Sequence, residues 1–195
     1  MAIPRQFKCA DWGGEIDDIK NNQGSPLFKS ALITWSIPKI WLKGEPAPIG
    51  QDAVATDCIY CLIRDHHRAK SKVKIVYVGI TRNIAVRFAN HPKAKLLRDM
   101  RGDTSLSVGS IDFGKNWRQK GSKQATEQLE HLLIWALRPK YNERKTYMLP
   151  GMGKHPARPW KVENKGFRFA GTMPRELVYP WMLVKPGRDR SKKRT

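Results

Sequence analysis

The pattern of apolar and polar positions is clearest between residues 58 and 142. Cys58–Ile63 is a short apolar run of strand-like composition, and Val73–Ile80 is a second. Between them, Arg64–Lys72 is a polar, basic connection containing His66 and His67. The two runs fit an antiparallel hairpin with a long loop, and Gly79 permits a sharp exit. Asn83 is placed to cap a helix through Ile84, Ala85, Val86, Arg87 and Phe88. Pro92 breaks that pattern, so the helix stops near Asn90 or His91, or kinks there and continues through Leu96–Met100. Ser105–Phe113 alternates through Leu106, Val108 and Ile111 and reads as a third strand with room for a bulge. After Gly121-Ser122, the residues Leu129, Leu132, Leu133, Ala136 and Leu137 recur at helical spacing, and Arg138-Pro139 closes that helix. The order β-β-α-β-α predicts an α+β domain with a small sheet.

The flanks are less regular. Residues 1–30 are rich in Gly, Asn and Asp and read as an irregular arm. Residues 31–42 are apolar and aromatic, with Trp35, Ile40 and Trp41, and are expected to pack onto the core or onto a second subunit. Gly44 to Gly50 is a Pro/Gly-punctuated linker. Beyond Asn142, Tyr147–Trp160 reads as a loop, Gly166–Ala170 and Leu177–Val184 as short extended runs, and Lys185–Thr195 as a disordered basic tail. This divides the chain into an N-terminal arm for dimerisation or clamping (1–56), a core (57–144) and a basic C-terminal extension (145–195).

Charge changes the picture. Thirty-seven Lys and Arg face seventeen Asp and Glu, a formal +20. The first 56 residues carry six of each sign, residues 57–144 eighteen basic against eight acidic, and residues 145–195 thirteen against three. The excess begins with the core and runs to the end. Self-repulsion of that size points to a polyanionic partner, nucleic acid before others.

Three cysteines, at 9, 58 and 61, are too few and odd in number for a disulfide framework and suit a reducing compartment. Cys58 and Cys61 have the spacing of half a zinc site, but no second pair completes it. Within a strand, an offset of three puts them on opposite faces, so both are expected to be structural. No apolar run of about 18 residues is present and the first residues lack an apolar signal segment, so a cytoplasmic protein away from membranes is expected.

Six positions then form a pattern. Cys58-Ile59-Tyr60 opens the first strand run, and Tyr77-Val78-Gly79 lies in the second. Arg87 follows ten residues after Tyr77, with His91 four further on. Glu130 stands on the long helix with Leu133-Ile134 behind it, and Pro139-Lys140-Tyr141-Asn142 closes it. This order of residues and elements resembles the GIY-YIG nucleases. It departs from them in having Cys58 where the family has its first Gly, and in a longer gap between the two Tyr motifs. The resemblance covers under half the chain. It implies a small three-stranded antiparallel sheet flanked by helices, here with N- and C-terminal DNA-binding arms. It also implies Mg²⁺-dependent endonuclease activity with Mn²⁺ as a substitute, and a catalytic set of Tyr60, Tyr77, Arg87, His91, Glu130 and Asn142, with Glu130 as metal ligand.

The residue types suit phosphodiester hydrolysis on their own chemistry. Arg87 has a forked guanidinium for phosphate oxygens. His91 lies one helical turn from it if the helix is continuous. Glu130 is a hard oxygen donor suited to Mg²⁺, which keeps several waters when few carboxylates bind it. Glu127 is the rival carboxylate but lacks the Leu-Ile register. Tyr77 is the candidate base, although either Tyr of the pair fits that role. Asn142 fits a supporting role, bonding backbone near the site.

Sequence readout needs more than this core. Arg118, Lys120, Lys123, Arg158 and Lys161 lie in basic stretches able to reach DNA grooves or phosphates. Trp117, Trp160 and Trp181 are core residues or base-stacking platforms. The favoured expectation is a restriction-type enzyme cutting double-stranded DNA as a homodimer. The alternatives are a structure-specific or weakly specific repair, recombination or phage nuclease, and a non-catalytic nucleic-acid-binding module.

Overall fold

The computed structural model describes residues 19–20, 22–49, 58–66, 73–114, 122–147, 159–167, 172–179 and 183–185. Among them run eight strands and three helices: β1 (Lys29–Trp35), β2 (Lys39–Ile40), β3 (Cys58–Asp65), β4 (Val73–Thr81), α1 (Ile84–Ala89), α2 (Pro92–Asp99), β5 (Asp103–Asp112), α3 (Ser122–Leu137), β6 (Trp160–Gly166), β7 (Glu176–Tyr179) and β8 (Leu183–Lys185). All eight strands belong to one curled, mixed sheet in the order β4-β3-β5-β1-β6-β7-β8, with β2 paired to β5 off that path. The β1–β6 pair is parallel; the other pairs are antiparallel.

This overturns the expected small three-stranded antiparallel sheet with arms on either side. The sheet does not end at β5, whose second edge takes β1 with Ile33 opposite Ile111. The other edge of β1 takes β6, from Lys29↔Trp160 to Trp35↔Gly166. Ala31, Ile33 and Trp35 alternate along β1 and are all buried, so the supposed arm is a central strand. At its end, a Cβ on Gly166 would lie 2.3 Å from the Trp35 carbonyl oxygen, and Gly166 has φ of 79°, which only glycine adopts freely.

Two cores form, one on each face. On the first, Ile33, Trp35, Ile59, Cys61, Ile63 and Val78 pack against Leu129, Leu132 and Leu133 of α3 and against Trp160 and Val162 of β6. On the second, Cys58, Tyr60, Leu62 and Leu106 pack against Ile84 and Phe88 of α1, Ala94 and Leu97 of α2, and Trp41. Cys58 and Cys61 thus fall on opposite faces, as their spacing predicts, and both are buried.

The helix boundaries follow local chemistry. Asn83 caps α1, its side chain accepting from Val86 N at 3.1 Å. Helix α1 stops at Asn90, and Pro92 opens a separate α2 rather than a continuation. His91 caps that second helix, its Nδ1 accepting from Ala94 N at 3.1 Å. The bulge expected in the third strand is not found: β3 and β5 pair without a shift from Cys58↔Ser110 to Asp65↔Asp103. Ile111 changes parity because β5 is covered on both faces, Leu106 joining one core and Ile111 packing against the other. The register shift lies instead in the β3–β4 pair, between Leu62↔Tyr77 and Ile63↔Ile75, leaving Val76 unpaired.

Arg64 is a second correction, since it belongs to β3 rather than to a solvated connection. It is 1 % exposed, and Nη1 donates to the Leu97 carbonyl (2.8 Å), the Gly102 carbonyl (3.0 Å) and Thr104 Oγ1 (2.7 Å). Nη2 donates to the carbonyls of Met100 and Arg101. One guanidinium therefore satisfies the carbonyls that the end of α2 and the following turn leave open. Among the described residues no helix is long and apolar enough to cross a membrane.

Candidate active site

The β-bulge sets the site. Below it, Val73 and Ile75 face the α3 core; above it, Tyr77 faces the other way, onto the face of Tyr60. In a regular strand, with Val76 paired like its neighbours, Tyr77 would share the face of Ile75, because side chains alternate; the bulge at Val76 turns it to the other face. The Tyr60 and Tyr77 rings then stack with centroids 6.1 Å apart.

Gly79 lies opposite Tyr60 across the pair. A Cβ there would sit 2.5 Å from the Tyr60 hydroxyl oxygen and 2.6 Å from Cζ. The phenol lies in the space that any side chain at 79 would fill, so the Tyr-x-Gly spacing has a steric reason.

Helices α1 and α2 deliver the polar partners. Tyr60 is 0 % exposed, and its oxygen lies 2.8 Å from His91 Nε2. Arg87 donates to the same oxygen from Nε at 3.1 Å. Phe88 stacks on His91 with centroids 5.4 Å apart and meets the Tyr60 ring edge-on at 4.8 Å, so the imidazole is held from the side as well. His91 also meets Tyr77 edge-on at 5.4 Å.

The direction of these bonds can be derived. Ala94 N–H can only donate, so His91 Nδ1 must carry a lone pair. A neutral imidazole then has its proton on Nε2 and donates it to Tyr60. Burial, reinforced by the nearby charge of Arg87, lowers the His91 pKa from 6.5 to about 4, which keeps the ring in that neutral form. The Tyr60 oxygen receives two N–H donors, with the Tyr77 ring stacked beside it. Burial is the largest influence on Tyr60 and raises its pKa, with Tyr77 adding to the rise and the Arg87 donor opposing it. Tyr60 is therefore a protonated phenol at neutral pH. Arg87 is held charged above its ordinary range, chiefly by its bond to Tyr60.

Asn142 secures the neighbouring strand edge. Its Oδ1 accepts from Val78 N (2.9 Å) and its Nδ2 donates to Val78 O (2.8 Å). Tyr141 N also donates to Val76 O at 2.9 Å, so residues 141 and 142 cover the free edge of β4 on both sides of Tyr77.

Glu130 stands apart. It lies on α3, which packs on β4, and its hydrogen-bond partner among the described residues is Lys145, whose Nζ is 2.5 Å from Oε2. The structure thus gathers Tyr60, Tyr77, Arg87 and His91 into one group, places Asn142 at its edge, and ties Glu130 to a lysine instead. Among the described residues no three His, Cys, Asp or Glu side chains cluster as a metal site. A single carboxylate that already holds a cation is nevertheless a donor set Mg²⁺ accepts, since that ion takes few protein oxygens and keeps its waters.

Of the expected DNA-contacting residues, Lys123 is exposed and lines a shallow cleft with Thr81, Arg82 and Glu127. Lys161 is 6 % exposed, with Nζ 4.0 Å from Glu163, and lines a second cleft with Ser30 and Asp112. Arg118, Lys120 and Arg158 lie outside the described residues, as do Trp117, Trp181 and His67. Trp160 is fully buried, its Nε1 donating to Gln128 at 2.7 Å, so it is core and no stacking platform. Sequence reading did not find Phe88, Lys145 or the bulge at Val76. None left a signal: Ile75, Val76, Tyr77 and Val78 form a continuous apolar and aromatic run in which a change of face is not visible.

No family model matches the chain, and neither a curated protein nor a solved structure matches it.

Proposed function

We propose that the protein is a metal-dependent DNA endonuclease of GIY-YIG type. The observation that carries the reading is the polarised group on β3, β4 and α1–α2. An arginine and a neutral histidine meet at the buried Tyr60 oxygen, with Tyr77 stacked beside it, in the order in which the sequence resembles that family. The donor chain runs from Ala94 N–H through His91 to Tyr60, whose ring stacks on that of Tyr77. Tyr77 is only half-buried, so it is the member of the pair able to meet a water; having first given up its own proton to solvent, its phenolate takes the proton of that water and returns to the neutral phenol as the hydroxide attacks. Arg87 is at the surface, and after Nε has served Tyr60 its guanidinium keeps further N–H donors for the phosphate. Glu130 would hold Mg²⁺; when bound, that ion supplies positive charge to the phosphate and the leaving oxygen.

The +20 formal charge suits double-stranded DNA as substrate. Within the class, sequence-specific double-strand cutting by a homodimer is preferred, because a site used once per subunit cuts both strands only in pairs or in two steps. Incubation with plasmid and phage DNA, with and without Mg²⁺, tests this reading against a Glu130→Ala variant. Discrete bands lost in the variant support it. A smear lost in the variant supports a weakly specific nuclease instead. Salt-sensitive binding without cleavage by either protein identifies a binding module.

A further inference from the structure

The ion pair between Glu130 and Lys145 has no part in the chemistry above. The Glu130 side chain is 15 % exposed and that of Lys145 33 %, so the pair is partly withdrawn from water and less screened than a surface pair. The lysine is presented by a short turn fixed at its start. Asn142 is clamped to Val78, and Thr146 Oγ1 donates back to the Asn142 carbonyl at 2.7 Å. Inside this turn Lys145 has φ of 66°, a left-handed conformation that lysine seldom adopts. The ammonium lies where a cation bound to Glu130 would be. An ammonium and a divalent ion cannot share that oxygen, since both need its lone pairs and they repel each other.

We propose that Lys145 is a resident cation that competes with the divalent metal for Glu130. The inference rests on the nuclease reading. In the protein without nucleic acid, Lys145 neutralises Glu130 and keeps metal affinity low. When nucleic acid is bound, the displaced ammonium turns on its flexible stem to a backbone phosphate and metal takes the carboxylate. Metal and nucleic acid then strengthen each other's binding by one common factor.

The test is Mn²⁺ binding to the full chain without DNA, followed by the loss of the free-ion EPR signal. The variants are Lys145→Met and Lys145→Gly, the second chosen because glycine suits the left-handed position and keeps the turn. Lys140→Met controls for the loss of one charge. Both Lys145 variants are expected to bind Mn²⁺ about tenfold more tightly than the wild type, an increase abolished by adding Glu130→Gln and absent from Lys140→Met. Glu130-dependent binding that is no tighter in the Lys145 variants, or equally tightened by Lys140→Met, overturns the competition and leaves the nuclease reading standing. Absence of Glu130-dependent binding in every protein, with DNA as well as without, overturns both.

Discussion

The phenolic oxygen of Tyr60 lies 2.8 Å from Nε2 of His91, and His91 is at the same time the cap of α2 through Nδ1. One side chain therefore serves helix and site, and it does both only when neutral. Protonation would put a hydrogen on Nδ1 facing the Ala94 N–H.

Stability should follow from this. The His91 pKa in the fold is about 4, below its ordinary 6.5, because burial and Arg87 oppose the charge. The unfolded chain takes up the proton first as pH falls. The contribution is complete above about pH 6.5 and is lost as the pH drops towards 4, amounting to about 3 kcal/mol at most. Urea unfolding at pH 7.5, 5.5 and 4.5 should show this loss in the wild type. His91→Asn, which keeps a capping oxygen, should lose distinctly less over the same range. An equal loss in both proteins would contradict the assignment.

Gly79→Ala should displace the Tyr60 ring, because the new methyl would sit 2.5 Å from its oxygen. The expected destabilisation is about 1–3 kcal/mol, with loss of any DNA cleavage beyond what that stability change explains. Thermal melting and cleavage on the same sample check this. Wild-type values for both would show that Tyr60 does not use this space.

Asn142→Asp keeps the shape but replaces the donor facing the Val78 carbonyl with a second acceptor. Destabilisation of about 1–3 kcal/mol is expected. Exchange of the Val78 amide hydrogen should also quicken, as the β4 edge is released. Unchanged protection at Val78 would remove Asn142 from this role.

Arg64→Met should remove a donor from five acceptors in α2, the following turn and the start of β5, of which the Leu97 carbonyl keeps Thr104 Oγ1 and Met100 N. The expected loss is about 3 kcal/mol or more by chemical denaturation. Arg64→Lys should recover little of it, since a point-like ammonium cannot serve both ends of the fork. Full recovery by lysine would show that charge alone matters.

The sequence was most legible where local chemistry decides. Asn83, Pro92 and the Leu129–Leu137 spacing each set a helix boundary without distant help. The order of Tyr60, Tyr77, Arg87 and His91 located the polar group before any contact was known. Long-range pairing was not legible. β1 shows regular alternation, but its parallel partner β6 reads Trp-Lys-Val-Glu-Asn-Lys-Gly, a sequence whose buried Lys161 and Asn164 look solvated. Asn164 is satisfied there by Trp35 Nε1 at 2.9 Å and by the Pro174 carbonyl, partners 129 and 10 residues away. Arg64 misleads in the same way: its polar neighbours Asp65 and His66 suggest a loop, while its acceptors come from α2 and the turn before β5. Lys145 left no trace, since its pairing with Glu130 depends on a turn conformation that lysine seldom adopts.

The most direct test of the site is single-turnover cleavage of DNA by the wild type and by Tyr77→Phe, Arg87→Ala and Tyr60→Phe, with DNA binding measured in parallel. If this group performs the cleavage, each substitution should slow it by about a hundredfold or more, while DNA affinity changes by only a few-fold. Cleavage at the wild-type rate by all three variants would contradict the account.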